Sequence, residues 1–270
     1  MTDTDARFVG SIPEHYDRFL GPMLFEPFAV DLVNRLPRIT TGRVLEVACG
    51  TGILTERLRT DLAPGVALVA TDLNGPMIAY ARTARLLGAG VDWRQADAQA
   101  LPFDDASFDQ VVCQFGLMFM PDKAQALREA RRVLSSNGAL AFNVWAAFEH
   151  CPVGRIADEV IGSFFPSDPP TFYQVPYGLD DEAGLRRLLA DAKFEVTGME
   201  RVALEARCES AADAARGLVL GNPVLLAIEE RGTAPPATII DALAEALARA
   251  GGSAPLRLPM SALVFVARAV

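Results

Sequence analysis

The sequence predicts an α/β fold: a Rossmann-like, doubly wound parallel sheet with helical cap segments. Two observations carry this prediction. Short apolar runs alternate with amphipathic stretches from about residue 43, and a turn with two glycines joins the first strand to the first helix. Parallel strands connected by right-handed helical crossovers bring their carboxyl ends to one edge of the sheet, and ligands bind outside that edge.

Each strand of this repeat is predicted from an apolar run bounded by turn residues, at 43–47, 66–71, 91–95, 108–113 and 139–144. Helices with one apolar face are predicted between them, from 53, from 76 and over 124–134. Asn74 is expected to cap the second of these helices, and the turn Asn137-Gly138 is expected to lead into the fifth strand.

Further elements are predicted outside the repeat. An aromatic-rich segment at 19–28 precedes an apparent helix that ends near Pro37. A helix at 182–192, a strand at 194–202, mainly helical residues at 209–254 and a final apolar run at 262–267 follow the fifth strand. No internal repeat or low-complexity linker interrupts the chain, so residues 1–270 are expected to form a single domain.

Composition excludes several classes of protein. The net charge is −9, and the 25 basic residues are dispersed and outnumbered by 34 acidic ones. This composition argues against binding of a phosphate backbone. No apolar run approaches the roughly 18 residues that span a bilayer, and residues 1–5 are polar and acidic rather than typical of a signal peptide. Four cysteines lack metal-ligand spacing, which favours reduced thiols in the cytoplasm and no metal site: Cys49, Cys113, Cys151 and Cys208.

The strongest functional signal is the segment from Glu46 to Gly52, which lies between a predicted strand and a predicted helix. Its small residues allow a ligand to approach the backbone closely, and the helix start behind them offers unpaired N–H groups. Asp72, twenty positions after Gly52, ends the next strand, where a carboxylate can accept hydrogen bonds from both hydroxyls of a ribose.

Two details separate this loop from a dinucleotide site. The third glycine of the dinucleotide pattern falls on Thr55. The leading Glu46 would repel a pyrophosphate, whereas it suits a ligand with a cationic amino-acid group.

On these residues the chain resembles the class I S-adenosylmethionine-dependent methyltransferases, in particular the ubiquinone/menaquinone-biosynthesis type that acts on small molecules. The resemblance extends to Asp97-Ala98 and to the segment Leu101-Pro102-Phe103-Asp104-Asp105-Ala106-Ser107-Phe108-Asp109. It covers about residues 42–145, and it implies S-adenosylmethionine as the cofactor. It also implies a seven-stranded sheet whose last strand, the run at 262–267, is antiparallel.

The resemblance implies a role for each matched position. Asp72 would hold the ribose, Leu73 and Met77 would flank the adenine, and Asp97 would contact the adenine amine. The full set of expected cofactor-binding residues is Tyr16, Glu46, Ala48, Cys49, Gly50, Gly52, Asp72, Leu73, Met77, Asp97, Ala98 and Gln114. Residues 1–41 would be an N-terminal lid, 42–145 the cofactor-binding core, and 146–180 with 209–254 the cap that shapes the substrate pocket.

Several alternatives stay open at this point. Tyr16 is either a cofactor cover or a surface aromatic, and the Phe- and Pro-rich stretch that ends at Tyr177 is either a lid or a small satellite core. No catalytic base is assigned; His15 and His150 are candidates only because they are the two histidines. The expected reaction is in-line methyl transfer to a small molecule, on oxygen, nitrogen, carbon or sulfur.

The competing functions are a non-catalytic cofactor-binding protein on the same scaffold and a nicotinamide-dependent oxidoreductase. A nucleic-acid methyltransferase is disfavoured by the net negative charge of the chain. The identity of the acceptor and the oligomeric state, a homodimer included, stay open.

Overall fold

The structure is a computed structural model of the chain that describes residues 7–270, apart from the side chain of Ala89. The acidic N-terminus at residues 1–5, used above in the argument about a signal peptide, lies outside the described residues.

Seven strands are described, and each contains or overlaps a strand or apolar run predicted above. They are β1 (Gly42–Val47), β2 (Val66–Asp72), β3 (Asp92–Gln95), β4 (Phe108–Gln114), β5 (Leu134–Trp145), β6 (Phe194–Cys208) and β7 (Leu256–Ala269).

The α-helices of the described chain are α1 (Ile12–His15), α2 (Glu26–Arg35), α3 (Ile53–Asp61), α4 (Gly75–Ala84), α5 (Lys123–Val133), α6 (Pro152–Ser163), α7 (Glu182–Asp191), α8 (Ala211–Leu220), α9 (Val224–Arg231) and α10 (Pro236–Gly251). A π-helical segment, Tyr16–Phe25, connects α1 to α2. Pro22 lies inside it; because proline has no N–H, it cannot make the hydrogen bond that an α-helix requires there.

The strands form one sheet in the order β3-β2-β1-β4-β5-β7-β6. The pairs β1–β2, β1–β4, β2–β3 and β4–β5 are parallel, and the last strand, β7, is antiparallel. The Rossmann-like doubly wound sheet with an antiparallel last strand is therefore confirmed. The strand order reverses between β1 and β4, so the turns after these strands lie at the point where such sheets bind ligands.

One local expectation was wrong. The turn at Asn137-Gly138 does not precede β5 but lies within it, because the strand begins at Leu134. Leu134 pairs with Phe108 and Ala139 with Gln110, so the extra residues of β5 form a bulge. Asn137 has a φ of +64° there, a left-handed conformation that asparagine tolerates.

The chain divides into two compact units. The first comprises Met1–Pro27, Trp145–Leu179 and Ala203–Ala262, and the second comprises Phe28–Val144, Asp180–Val202 and Leu263–Val270. The first unit contains most of the residues predicted as lid and cap segments. Whether they act as such stays a prediction.

The second unit has its core along the central strands. Val44 and Leu45 of β1 are completely buried, and the ring of Phe142 on β5 stacks on that of Phe265 on β7 with centroids 5.1 Å apart. Complete burial of such a side chain stabilises a fold by roughly 1.5–3 kcal/mol. The strand ends that carry the predicted site are thus supported by tightly packed apolar side chains.

The first unit is mainly helical. Helix α8 packs against the π-helical segment and against α10, which also contacts α6. Over residues 7–270, no individual helix has the length and apolar character needed to cross a bilayer; α8 and α9 meet that test only as a pair bent by 77°.

Candidate cofactor site

The segment from Glu46 to Gly52 comprises the end of β1 and the loop that connects it to α3 in the second unit. Ala48, Gly50 and Gly52 all have positive φ, of 56°, 54° and 80°, so the backbone turns sharply between strand and helix. The Cys49 N–H donates to the Thr71 carbonyl at 2.9 Å, which ties the loop to β2. A Cβ built on Gly50 would meet no atom within 4 Å, so the space beside this residue is open to a ligand.

Asp72, the last residue of β2, faces this loop. Its Oδ2 accepts a hydrogen bond from the Gly50 N–H at 2.8 Å, and its Oδ1 accepts one from the Asn74 N–H at 2.8 Å. The side chain is buried, and this burial raises its pKa, although the two N–H donors oppose the shift. Its Oδ1 also accepts the Asn74 side-chain amide at 3.4 Å, whereas its Oδ2 keeps a second lone pair that can accept a ribose hydroxyl.

Glu46 is the second buried acid of the site, with only 1% of its surface exposed. Burial raises its pKa to about 8; Thr55 opposes this rise, and the negative charge of Asp72 adds to it. Within the described chain, its Oε2 has no hydrogen-bond partner. A buried, unpaired carboxylate oxygen is costly, and a cationic ligand would relieve that cost.

The other predicted contacts lie around these two acids. Cys49 is buried, which raises the pKa of its thiol and keeps it protonated. Met77 is buried in the first turn of α4, whereas Leu73 is 54% exposed although it is a large apolar residue. Gln114 ends β4 and is half-buried. An exposed leucine next to a buried aspartate provides an apolar surface at the end of β2 that a ligand can cover.

Asp97 and Ala98 differ in their surroundings. Asp97 is exposed, and its Oδ1 accepts the Gln99 N–H at 2.8 Å, as in a turn stabilised by its own aspartate. Ala98 lines a small apolar cavity of about 20 Å³ together with Val47, Leu101 and other core residues. The backbone hydrogen bond of this turn goes to Oδ1, so Oδ2 accepts no backbone N–H. The contact of Asp97 with adenine stays a prediction.

The sequence analysis did not predict one buried polar residue beside the candidate site. Asn143 on β5 is completely buried, and its Oδ1 accepts the Phe115 N–H at 3.0 Å just after β4. Phe115 has a φ of +51°, so Asn143 stabilises a strained turn at a strand end of the site. A polar residue inside the otherwise apolar run 139–144 was the signal that could have found it.

Three predicted residues lie in the first unit. The Tyr16 ring stacks on Phe25 with centroids 4.6 Å apart. The His15 ring stacks on Phe19, and its buried Nδ1 has no hydrogen-bond partner among residues 7–270. His150 Nε2 lies 3.1 Å from Glu149 Oε1. These contacts do not identify any of the three as a catalytic or cofactor-binding group, so their roles stay predictions.

The residues of the second unit suit S-adenosylmethionine. The unpaired Glu46 oxygen matches a cationic amino group, Asp72 matches the ribose, and the open space at Gly50 allows close approach. A pyrophosphate would meet two acids here, and the position of the third dinucleotide glycine is filled by the buried Thr55. Among residues 7–270, no group of three or more His, Cys, Asp or Glu is arranged to hold a metal ion.

Comparison with known proteins agrees with this geometry. Residues 45–142 match a family described as a methyltransferase domain. A ubiquinone/menaquinone biosynthesis C-methyltransferase UbiE from Ectopseudomonas mendocina is 31% identical over 186 residues, which are 64% of this chain and 71% of the relative. Its counterpart from Hahella chejuensis is 43% identical over 100 residues, but the match spans only 36% of this chain and 40% of that relative.

Solved structures share the fold. A protein from Bacillus halodurans, assigned as a methyltransferase, superposes with a TM-score of 0.59 and 19% identity over 89% of this chain and 97% of that one. Taken with the sequence relatives, these findings identify the chain as a member of the class I S-adenosylmethionine-dependent methyltransferases of the UbiE type, with S-adenosylmethionine as its cofactor.

Proposed function

We propose that this protein transfers the methyl group of S-adenosylmethionine to a ring carbon of a small quinone-type acceptor. The observation that carries the proposal is the similarity over 186 residues to a protein named as a C-methyltransferase of ubiquinone and menaquinone biosynthesis. The buried acids Glu46 and Asp72 support the cofactor's part of this proposal, because they suit its amino group and its ribose.

The cofactor supplies an electrophilic methyl group on a sulfonium centre. The protein contributes binding and orientation: Asp72 would hold the ribose hydroxyls, and Glu46 would pair with the amino group. Asn143 would keep the turn after β4 in one conformation through its bond to Phe115. With the reacting atoms held in line and water excluded, little covalent chemistry is needed from the chain itself.

A base has a limited part in this reaction. A quinol ring carbon becomes nucleophilic when a neighbouring hydroxyl loses its proton, so a group that accepts this proton would help. His15 and His150 stay candidates, and the further expected contacts of the cofactor are Tyr16, Leu73, Met77, Asp97, Ala98 and Gln114. Residues 1–41, 146–180 and 209–254 would shape the acceptor pocket as parts of a single functional domain.

We also propose that the protein works in the cytoplasm on a free metabolite and without a nucleic acid. All four cysteines are free thiols, and three of them are buried, which suits a reducing compartment. The charge of −9 opposes binding to a polyanion.

The test is methyl transfer from methyl-labelled S-adenosylmethionine to a short-chain 1,4-naphthoquinol that has a free ring position. We expect labelled product with one added carbon-bound methyl group, and no label transfer by an Asp72→Ala variant. A metabolite extract serves as the second acceptor. If label enters another compound of the extract but not the quinol, the quinone-type acceptor is wrong; if the protein binds the cofactor but labels nothing, the non-catalytic alternative is favoured.

A further inference from the structure

A cavity of about 280 Å³ lies within the first unit, lined by residues in the ranges 18–23 and 207–213, and we call it the first-unit cavity. One wall is part of the π-helical segment, and the other is the end of β6 with the start of α8. None of its lining residues is among those predicted to bind the cofactor. Its volume exceeds the roughly 150 Å³ in which a protein cavity can hold benzene, so a small organic ligand fits.

The π-helical wall contributes three apolar side chains, Phe19, Pro22 and Met23. The Phe19 ring stacks on that of His15 with centroids 6.0 Å apart, and a Cβ built on Gly217 of α8 would come within 2.6 Å of the Phe19 Cβ. Phe19 is therefore held closely by its neighbours, and it gives the cavity a fixed apolar surface, which we call the apolar wall together with Pro22 and Met23. π-helical turns are found frequently at functional sites.

Two arginines of the cavity have no ion-pair partner in the described chain. Arg18 lies on the π-helical segment and Arg207 on β6, and both are exposed. The Arg18 guanidinium lies over the Phe19 ring, 5.0 Å from its centroid, and so stands beside the apolar wall. Neither side chain forms a hydrogen bond or an ion pair with another group of residues 7–270. Guanidinium groups bind carboxylates through paired hydrogen bonds, so these two arginines suit an anionic group of a ligand.

Two acids complete the charged lining, and only one of them is compensated. Asp213 accepts a hydrogen bond from Arg216 at 2.9 Å and one from the Ser210 hydroxyl at 2.7 Å. Glu209 is exposed and has no hydrogen bond or ion pair among residues 7–270. Burial raises the pKa of the Cys208 thiol, which therefore stays neutral. The cavity thus presents two uncompensated positive charges and one uncompensated negative charge beside an apolar surface.

We propose that the first-unit cavity binds a free α-amino acid with an apolar side chain. The carboxylate of this ligand would pair with Arg18 and Arg207, its ammonium group would pair with Glu209, and its side chain would pack on the apolar wall. A purely anionic ligand would leave a like charge at Glu209 unpaired, and a purely cationic ligand would face two guanidinium groups. The inference goes beyond the proposed function and does not depend on it.

The test measures binding of L-phenylalanine to the full chain by titration followed by NMR. Excess S-adenosylhomocysteine is present, so that the amino-acid part of the predicted cofactor site is filled. Two analogues each lack one charge: 3-phenylpropionate has no ammonium group, and 2-phenylethylamine has no carboxylate. Because an exposed ion pair changes an affinity by at most about fivefold, we expect L-phenylalanine to bind roughly two- to fivefold more tightly than either analogue.

Variants separate the two charged contacts. Arg207→Met should weaken binding of L-phenylalanine and of 3-phenylpropionate but not of 2-phenylethylamine, whereas Glu209→Gln should remove the advantage of L-phenylalanine over 3-phenylpropionate. The matched control is Arg187→Met, which removes an exposed arginine on α7 in the second unit and should change none of the three affinities. All three positions are exposed, so the midpoint of thermal unfolding should stay close to that of the unchanged protein.

The inference is overturned if L-phenylalanine does not bind, if it binds no more tightly than both analogues, or if Arg207→Met binds it as tightly as Arg187→Met does. Each of these results would mean that the charges at the cavity are only solvated. Binding of S-adenosylhomocysteine, measured separately, keeps the two hypotheses apart. Its absence would contradict the proposed function, whereas loss of the preference for the amino acid contradicts only the inference.

Discussion

At the scale of single residues, the predicted cofactor site contains two buried acids with different partners. Asp72 accepts hydrogen bonds from two backbone N–H groups, whereas one oxygen of Glu46 has no partner in the described chain. The sequence was sufficient to select both, because Glu46 lies near the end of one apolar strand and Asp72 ends the next. Their protonation depends on burial, which a sequence pattern does not provide.

The first residue-scale prediction concerns Asp72. Its replacement by alanine removes the acceptor for the ribose hydroxyls and for the Gly50 and Asn74 N–H groups. Because hydrogen bonds to charged groups contribute roughly 1.5–3 kcal/mol each, we expect S-adenosylhomocysteine to bind at least about 100-fold more weakly by calorimetry. Asp104→Ala, which removes an exposed turn carboxylate, is the control and should bind normally. Equal affinity of the two variants would show that Asp72 does not bind the cofactor.

The second prediction concerns the pH dependence that Glu46 causes. Its pKa of about 8 in the folded protein is above the value of 4.5 expected in the unfolded chain. Between these values the folded state binds more protons than the unfolded state, so this group makes the free energy of unfolding fall as the pH rises, by at most about 1.4 kcal/mol per pH unit. Glu46→Gln should have a flatter profile in urea unfolding from pH 5 to pH 8.

The same shift affects binding of the cofactor. A cationic amino group favours the ionised form of Glu46, so the affinity for S-adenosylhomocysteine should increase as the pH rises towards 8 and then level off. In Glu46→Gln this increase should be lost. If the variant and the unchanged protein show the same dependence of affinity on pH, the pairing of Glu46 with the amino group is wrong.

At the scale of elements, the apolar runs predicted all seven strands near their observed positions. Three features were not predicted correctly, and each has a local physical cause. The bulge in β5 places the turn at Asn137 inside a strand, and periodicity cannot distinguish a bulge from a hairpin or a strand start. The π-helical segment Tyr16–Phe25, which contains Pro22 and packs against α8, was not predicted, because a short apolar pattern does not distinguish its wide turns from those of an α-helix. Asn143 was missed because its partner is distant in sequence, although close in the sheet.

The element-scale prediction concerns the contact between the loop after β1 and the turn after β4. A Cβ on Gly116 would overlap the Cβ of Ala48 and come within 2.8 Å of the Cys113 sulfur. Gly116→Ala should therefore lower the free energy of unfolding by about 1–3 kcal/mol and weaken binding of the cofactor, as measured by urea unfolding and calorimetry.

Gly198→Ala on β6 is the matched control, because its Cβ would meet the Val266 side chain at an ordinary 3.8 Å. It should change stability much less and leave binding intact. A Gly116→Ala variant as stable as this control would mean that the loop and the turn are not packed as the structure describes.

At the scale of the whole molecule, the sequence predicted the fold class, the family and the cofactor, because the loop, Asp72 and the segment 97–109 lie within one continuous stretch. It could not assign the acceptor or a base. The segments predicted to shape the acceptor pocket, 1–41, 146–180 and 209–254, are separate in sequence and carry no recognisable motif.

The central claim is that the chain binds S-adenosylmethionine through the second unit and uses it as a methyl donor. Calorimetric titration of the full chain with S-adenosylhomocysteine and, separately, with NADH tests it most directly. The account predicts saturable binding of one S-adenosylhomocysteine per chain and no measurable binding of NADH. The account would be contradicted if the chain binds NADH but not S-adenosylhomocysteine, or if it binds neither compound.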